Sequence, residues 1–187
     1  MYQKSCTLCS GGLKGAEATF GERAEQWGIN EVIYTFEGHK LQREKNAVLL
    51  TQQELERGDI SMELASKMLN RTYYETSKIR KVLQTIFHMV NNGHQIFVIG
   101  TILEDNSVKG GTGWAVELAK LFNRPLHVYD QPRKQWFTWK ENQWHEDTPV
   151  IEYNTFVGSG TRYLSDAGRE AIIKLYEESF GQKTIIT

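Results

Sequence analysis

The first mixed apolar run, Lys4 to Cys9, stops at Ser10-Gly11-Gly12-Leu13-Lys14-Gly15, and apolar positions Ala16, Phe20, Ala24 and Trp27 then recur at helical spacing. That order predicts strand, glycine loop, helix. Gly28 ends the helix, and Glu31-Val32-Ile33-Tyr34-Thr35-Phe36 follows with the β-branched and aromatic residues of a strand. A strand-helix-strand unit calls for a parallel pair joined by a right-handed crossover. Glu37 to Leu50 reads as polar and irregular, after which Thr51-Gln52-Gln53-Glu54 has the spacing of a capping box, with Gly58 as a break. Met62 to Leu69 and Ser77 to Val90 carry apolar residues at helical spacing, and Asn91-Asn92-Gly93 supplies a stop.

Gln95 to Thr101 is nearly uninterrupted apolar sequence of strand length, the pattern of a central parallel strand buried on both faces. Lys109-Gly110-Gly111-Thr112-Gly113 then leads into a helix, Trp114 to Phe122, with Ala115, Leu118, Ala119 and Phe122 on one stripe. Pro125 to Asp130 is a further strand. Gln135 to Lys140 and Gln143 to His145 form a small hairpin around Glu141-Asn142. Thr155 to Arg162, with Gly158 and Gly160, precedes a helix from Asp166 to Phe180 that has Ser165 as N-cap and Gly181 just past its end. The reading is an α/β fold, a doubly wound parallel sheet with helices on both faces and a small C-terminal hairpin insertion.

Length and charge narrow the picture. The 187 residues suit one domain, residues 1–187, and 22 Lys+Arg against 23 Asp+Glu give a net charge of -1. No overall field draws such a chain to nucleic acid, so nucleic-acid partners are not expected. Apolar runs such as Ile96-Phe97-Val98-Ile99 are far shorter than the roughly 20 residues that cross a bilayer, and Met1-Tyr2-Gln3-Lys4 has no signal-peptide character, so no membrane partner and a cytoplasmic location are expected. Cys6 and Cys9 make a lone C-x-x-C, read as buried strand cysteines; the five histidines lack paired ligand spacing, so no metal site is expected.

Three glycine-rich strand-to-helix junctions carry the candidate chemistry. At the carboxyl edge of an open α/β sheet, helix N-termini and bare backbone N–H groups attract anions. Neither Gly11-Gly12 nor Gly110-Gly111-Thr112-Gly113 fits the dinucleotide or P-loop fingerprint, which disfavours ordinary dehydrogenase and ATPase readings. Glu117, one turn inside its helix, either reaches a ribose near the helix start or is a surface carboxylate. Asp130 and Gln131 end a strand, where they bind ribose or base edges or form a turn. Trp114 and Trp136 either stack on a nucleobase or belong to the core. Arg162, beside Gly160-Thr161, either grips a phosphate or is a solvated surface residue.

Ser10-Gly11-Gly12 with Gly15-Ala16-Glu17 resembles the S-G-G-x-x-G-A-[DE] opening of the Rossmann-like nucleotide-sensor (SLOG) superfamily, and Gly110-Gly111-Thr112-Gly113-Trp114 with Glu117 resembles its second glycine motif. That superfamily includes the Lonely-guy phosphoribohydrolases, the DNA-processing protein A family and sensor domains of Thoeris effectors and melastatin-type channels. With Val128-Tyr129-Asp130-Gln131, Gln135-Trp136-Phe137 and Gly158-Ser159-Gly160-Thr161-Arg162, the chain resembles a small single-domain family found largely in bacteriophages and bacteria. The resemblance implies a pocket for a nucleotide, a cyclic nucleotide or an NAD- or ADP-ribose-derived signal, with no cofactor, and a homodimer or larger homo-oligomer. It carries over Gly11, Gly12, Gly110, Gly111 and Gly113 as phosphate-facing, and the full set of candidate ligand-binding residues adds Ser10, Gly15, Glu17, Gly100, Thr101, Thr112, Trp114, Glu117, Asp130, Gln131, Trp136 and Arg162.

Two activities stay open. One is capture of the signal without chemistry, as a phage sponge against host defence acting in the host cytoplasm. The other is N-glycosidic hydrolysis of a nucleoside monophosphate with Glu117 catalytic. Against the phosphoribohydrolase motif, Lys109 stands at its proline and Trp114 at its threonine.

Overall fold

Thr51 begins the middle of the chain as its spacing predicts. Its hydroxyl accepts from the Glu54 N–H while the Glu54 carboxylate accepts from the Thr51 N–H at 2.8 Å, so two orphan donors are met at one helix start. Gly58 then separates two helices, because its bare Cα is packed against the Phe87 ring and leaves no room for a side chain.

The computed structural model describes residues 5–74 and 78–181, so the expected starts at Lys4 and Ser77 lie outside the described residues. In chain order the elements are β1 Thr7–Ser10, α1 Ala16–Gln26, β2 Asn30–Thr35, β3 Ala47–Leu49, α2 Gln52–Glu56, α3 Asp59–Leu69, α4 Lys78–Asn92, β4 Gln95–Gly100, α5 Thr112–Leu121, β5 Leu126–Asp130, β6 Gln135–Lys140, β7 Gln143–Asp147, β8 Thr155–Gly160 and α6 Asp166–Phe180. The strands form one sheet in the order β3-β2-β1-β8-β4-β5-β6-β7. From β3 to β5 all pairs are parallel; β6 and β7 run antiparallel beside β5. The α/β class expected from the alternating pattern is what the chain adopts.

Alternation along the strands sends side chains to two cores. Ile96 and Val98 join α3, α4 and α5, whereas Phe97 and Ile99 join α1 and α6. β4 is therefore buried on both faces, as its apolar run demanded. Cys6 packs with Leu8 on the α1 side and Cys9 on the other, so two residues three apart on an extended chain cannot act as a redox pair. Glycine at 158 in β8 lets Phe20 lie directly on the sheet: a β-carbon there would come within 2.7 Å of Phe20 Cβ.

Two features were not expected. β3 is a three-residue edge strand within the stretch read as irregular, with Leu49 exposed. β8, eighth in the chain, sits between β1 and β4 at the centre. The carboxyl ends of β1, β8 and β4 thus lie side by side, and the loops that leave them face one another. Among the described residues no helix is long and apolar enough to cross a membrane.

Candidate functional site

The loops after β1, β4 and β8 enclose a cleft of about 330 Å³, walled on one side by Leu83, Ile86 and Met89 of α4. Gly11, Glu17, Gly100, Thr101, Gly110, Gly111, Thr112, Gln131 and Arg162 line it, so nine of the candidate residues are brought together. Lys14, Lys109 and Arg162 stand exposed at its mouth, and Glu17 is buried in its floor.

The first loop is locked by its own side chains. The Glu17 carboxylate accepts from the Leu13 N–H at 2.9 Å, from the Gly11 N–H, and from the Ser159 hydroxyl at 3.1 Å. Burial pushes the Glu17 carboxyl above its ordinary range, against the pull of these three donors. Ser10 accepts from the Gly12 N–H with its hydroxyl and is itself fully buried beneath the loop. Gly15 meets the third loop: a β-carbon there would sit 2.5 Å from Thr161 O and Arg162 Cα, and its φ of +97° is left-handed. The Ala16 N–H donates to Thr161 O at 3.0 Å, tying the two loops together.

The second loop is held from outside. Arg71, just past the end of α3, donates to Gly110 O at 2.7 Å and to Val108 O at 3.1 Å. Gly113 packs against Val108 O and the Arg71 guanidinium, which accounts for its lack of a side chain. Gly111 is different. Its backbone is right-handed helical, at φ -59° and ψ -30°, and a β-carbon there would meet nothing within 4 Å. Nothing in the fold requires glycine at 111. The first turn of α5 begins beside it: the Gly113 and Trp114 N–H groups close back on Gly110 O and Gly111 O, and no side chain caps the Gly111 and Thr112 N–H groups ahead of them.

Several expected residues stand elsewhere. Gly12 and Gly15 serve loop packing, Gly12 O accepting from the Gln42 and Arg43 N–H groups. Asp130 is buried at the end of β5, where its carboxylate accepts from the Ile102 N–H at 2.8 Å and pairs with Arg133, so it staples two loops and does not face the cleft. Gln131 stays at the edge of the cleft, but its side chain is spent on the start of α6, accepting from the Ser165 N–H at 2.8 Å. Trp114 lies in the core beside Tyr73, and Trp136 in the opposite core against Phe97 and Tyr129. Neither ring is open to stack on a ligand in the cleft.

Glu117 is the largest departure from expectation. Its carboxylate pairs with Lys120 at 2.9 Å, and Lys120 in turn lies 3.9 Å from the centre of the Trp139 ring. Both residues border a separate depression beside β6, so Glu117 is part of the attachment of that strand to α5. Arg71 and Ser159 are among the contributors missed from the sequence. Arg71 has no local signal because its partners lie 37 and 39 residues away; Ser159 stood unremarked inside the third glycine junction.

Comparison with protein-family models, with curated proteins and with solved structures yields no match.

Proposed function

We propose that the cleft binds a phosphorylated, nucleotide-derived small molecule and that the chain is a doubly wound Rossmann-like sensor domain of the nucleotide-sensor kind, holding its ligand without cleaving it. The observation that carries this reading is Gly111. It is a glycine with unstrained backbone and open space around it, at the mouth of a helix N-terminus and within a cleft rimmed by Lys14, Lys109 and Arg162. A bare backbone there gives a phosphate room to approach the N–H groups closely, and no demand of folding explains it. The α4 wall of Leu83, Ile86 and Met89 offers an apolar surface for a sugar edge or base.

Cleavage by Glu117 finds no support in the geometry, since that carboxylate is engaged by Lys120 away from the cleft. Sequestering a host signal is the use this reading gives a phage protein, and a homodimer remains part of the same proposal.

The test is to incubate the purified protein with nucleoside monophosphates, cyclic nucleotides and NAD-derived messengers, then denature it and identify the released compounds by mass spectrometry. Recovery of one compound intact, with a prior rise in thermal stability, is the expected result. Free base with ribose phosphate would overturn the holding role in favour of hydrolysis, with Glu17 the carboxylate at hand. Absence of any bound phosphate compound would overturn the reading as a whole.

A further inference from the structure

The two ends of the cleft differ in what they offer a ligand. At the α5 end Gly113 and Trp114 donate to Gly110 O and Gly111 O, while the cleft-lining Gly110, Gly111 and Thr112 N–H groups have no partner among the described residues. At the α1 end five donors are already taken: the Gly11 and Leu13 N–H groups donate to Glu17, the Gly12 N–H to Ser10 Oγ, the Ala16 N–H to Thr161 O and the Ala18 N–H to Leu13 O. What the α1 end presents is the Glu17 carboxylate, with 5% of the residue's surface exposed and Ser159 beside it. A carboxylate carries about four acceptor positions, and three are taken by Gly11, Leu13 and Ser159. One position is left over, and Glu17 lines the cleft.

Resting on the reading above, we infer that Glu17 is a specificity-determining residue that accepts a hydrogen bond from a ligand hydroxyl, so that the cleft takes a compound with a phosphate at one end and a hydroxyl-bearing sugar at the other, and rejects a second phosphate at the sugar. A phosphate at the α1 end would meet a like charge in a buried place and find the Gly11, Gly12 and Leu13 donors occupied. Lys14 and Arg162 do not reverse this, because both are exposed at the mouth and their charge is screened by water. A sugar hydroxyl at the same point supplies the one thing the site lacks, a donor. The glycine loop after β1 is thus a self-capped loop, although its composition is that of a phosphate cradle.

The experiment uses the unmodified protein and isothermal calorimetry with the nucleoside 5′-monophosphate that binds most tightly, its 2′,3′-dideoxy analogue and its 3′,5′-bisphosphate. Loss of at least tenfold in affinity for both analogues is expected, in keeping with a hydrogen bond to a buried carboxylate. Glu17→Gln, which keeps the shape and removes the charge, is expected to recover at least part of the bisphosphate's affinity. Equal binding of all three compounds overturns the role of Glu17 and leaves the phosphate site standing. Failure of every monophosphate to bind, while a compound without phosphate does, overturns the phosphate reading itself.

Discussion

The guanidinium of Arg71 reaches across from the end of α3 to the carbonyl oxygens of Val108 and Gly110, and so fixes the height of the loop from which α5 begins. Two carbonyls are satisfied by one planar fork, which a lysine ammonium cannot span in the same way. Arg71→Lys and Arg71→Met are both expected to cost about 1.5 kcal/mol of stability, the worth of hydrogen bonds to a charged donor at a partly exposed site. Both are also expected to weaken binding of a phosphorylated ligand at least tenfold. Urea denaturation alongside calorimetry checks this; a lysine variant with native affinity would show that the fork is dispensable.

At Gly111, stability and binding are expected to part company. The backbone there suits any residue and the space is open, so Gly111→Ala is predicted to stabilise the protein by about 0.5 kcal/mol through the unfolded chain. Gly111→Asp places a negative charge beside the start of α5, which favours the helix and repels a phosphate. Thermal melting of the free variant at or above the native temperature, with phosphate-ligand binding abolished, is the predicted pair of results. A variant that melts lower would mean that glycine at 111 serves the fold after all.

His127 makes folding sensitive to acid. Thr138 Oγ1 donates to Asp147 at 2.6 Å, so the His127 Nδ1–H donates to Thr138 at 2.7 Å, leaving Nε2 to accept from the Gln95 amide at 3.1 Å. Burial lowers the His127 pKa from 6.5 to about 4. Because the folded value lies below the unfolded one, the unfolded chain binds the extra proton first, and stability falls as pH drops from 6.5 towards 4. The loss over that window is expected to be on the order of 3 kcal/mol. Asp147, held low by hydrogen bonds from Thr138 and Thr148, adds its own loss only below the window. Urea midpoints from pH 7.5 to 4 measure this, and a flat profile in the wild type would rule it out.

Phe20 lies on the bare backbone of Gly158, and there is no slack between them. Gly158→Ala is predicted to destabilise the protein by about 1 to 3 kcal/mol through overpacking. Adding Phe20→Leu should return part of that loss. Additive costs in the double variant, measured by guanidinium denaturation, would place the strain somewhere else.

What the sequence made legible was local. The capping box at Thr51 and the cap at Ser165, which accepts from the Gly168 N–H at 3.0 Å, depend on neighbours within four residues and stood where the pattern put them. β3 escaped because three residues carry no period, and the central place of β8 escaped because it is decided by pairings with segments some 60 and 150 residues distant. The same division runs through the site. Glycine junctions announced a cleft, but which acid would face it depended on helix position. Glu17, second in α1, stays at the sheet edge; Glu117, sixth in α5, is carried about 7 Å along its axis and turned towards β6.

The sheet is closed from its middle. β1, β2 and β3 form one half and β4 to β7 the other, and only β8, made after both, joins them. During translation the inner edges of β1 and β4 therefore lack their final partner until residues 155–160 leave the ribosome. Ser159, which steadies Glu17, arrives with that strand, so the cleft acquires its floor at the moment the sheet closes. Ligand cannot assist the early steps of folding in such a chain; it can only reward the last one.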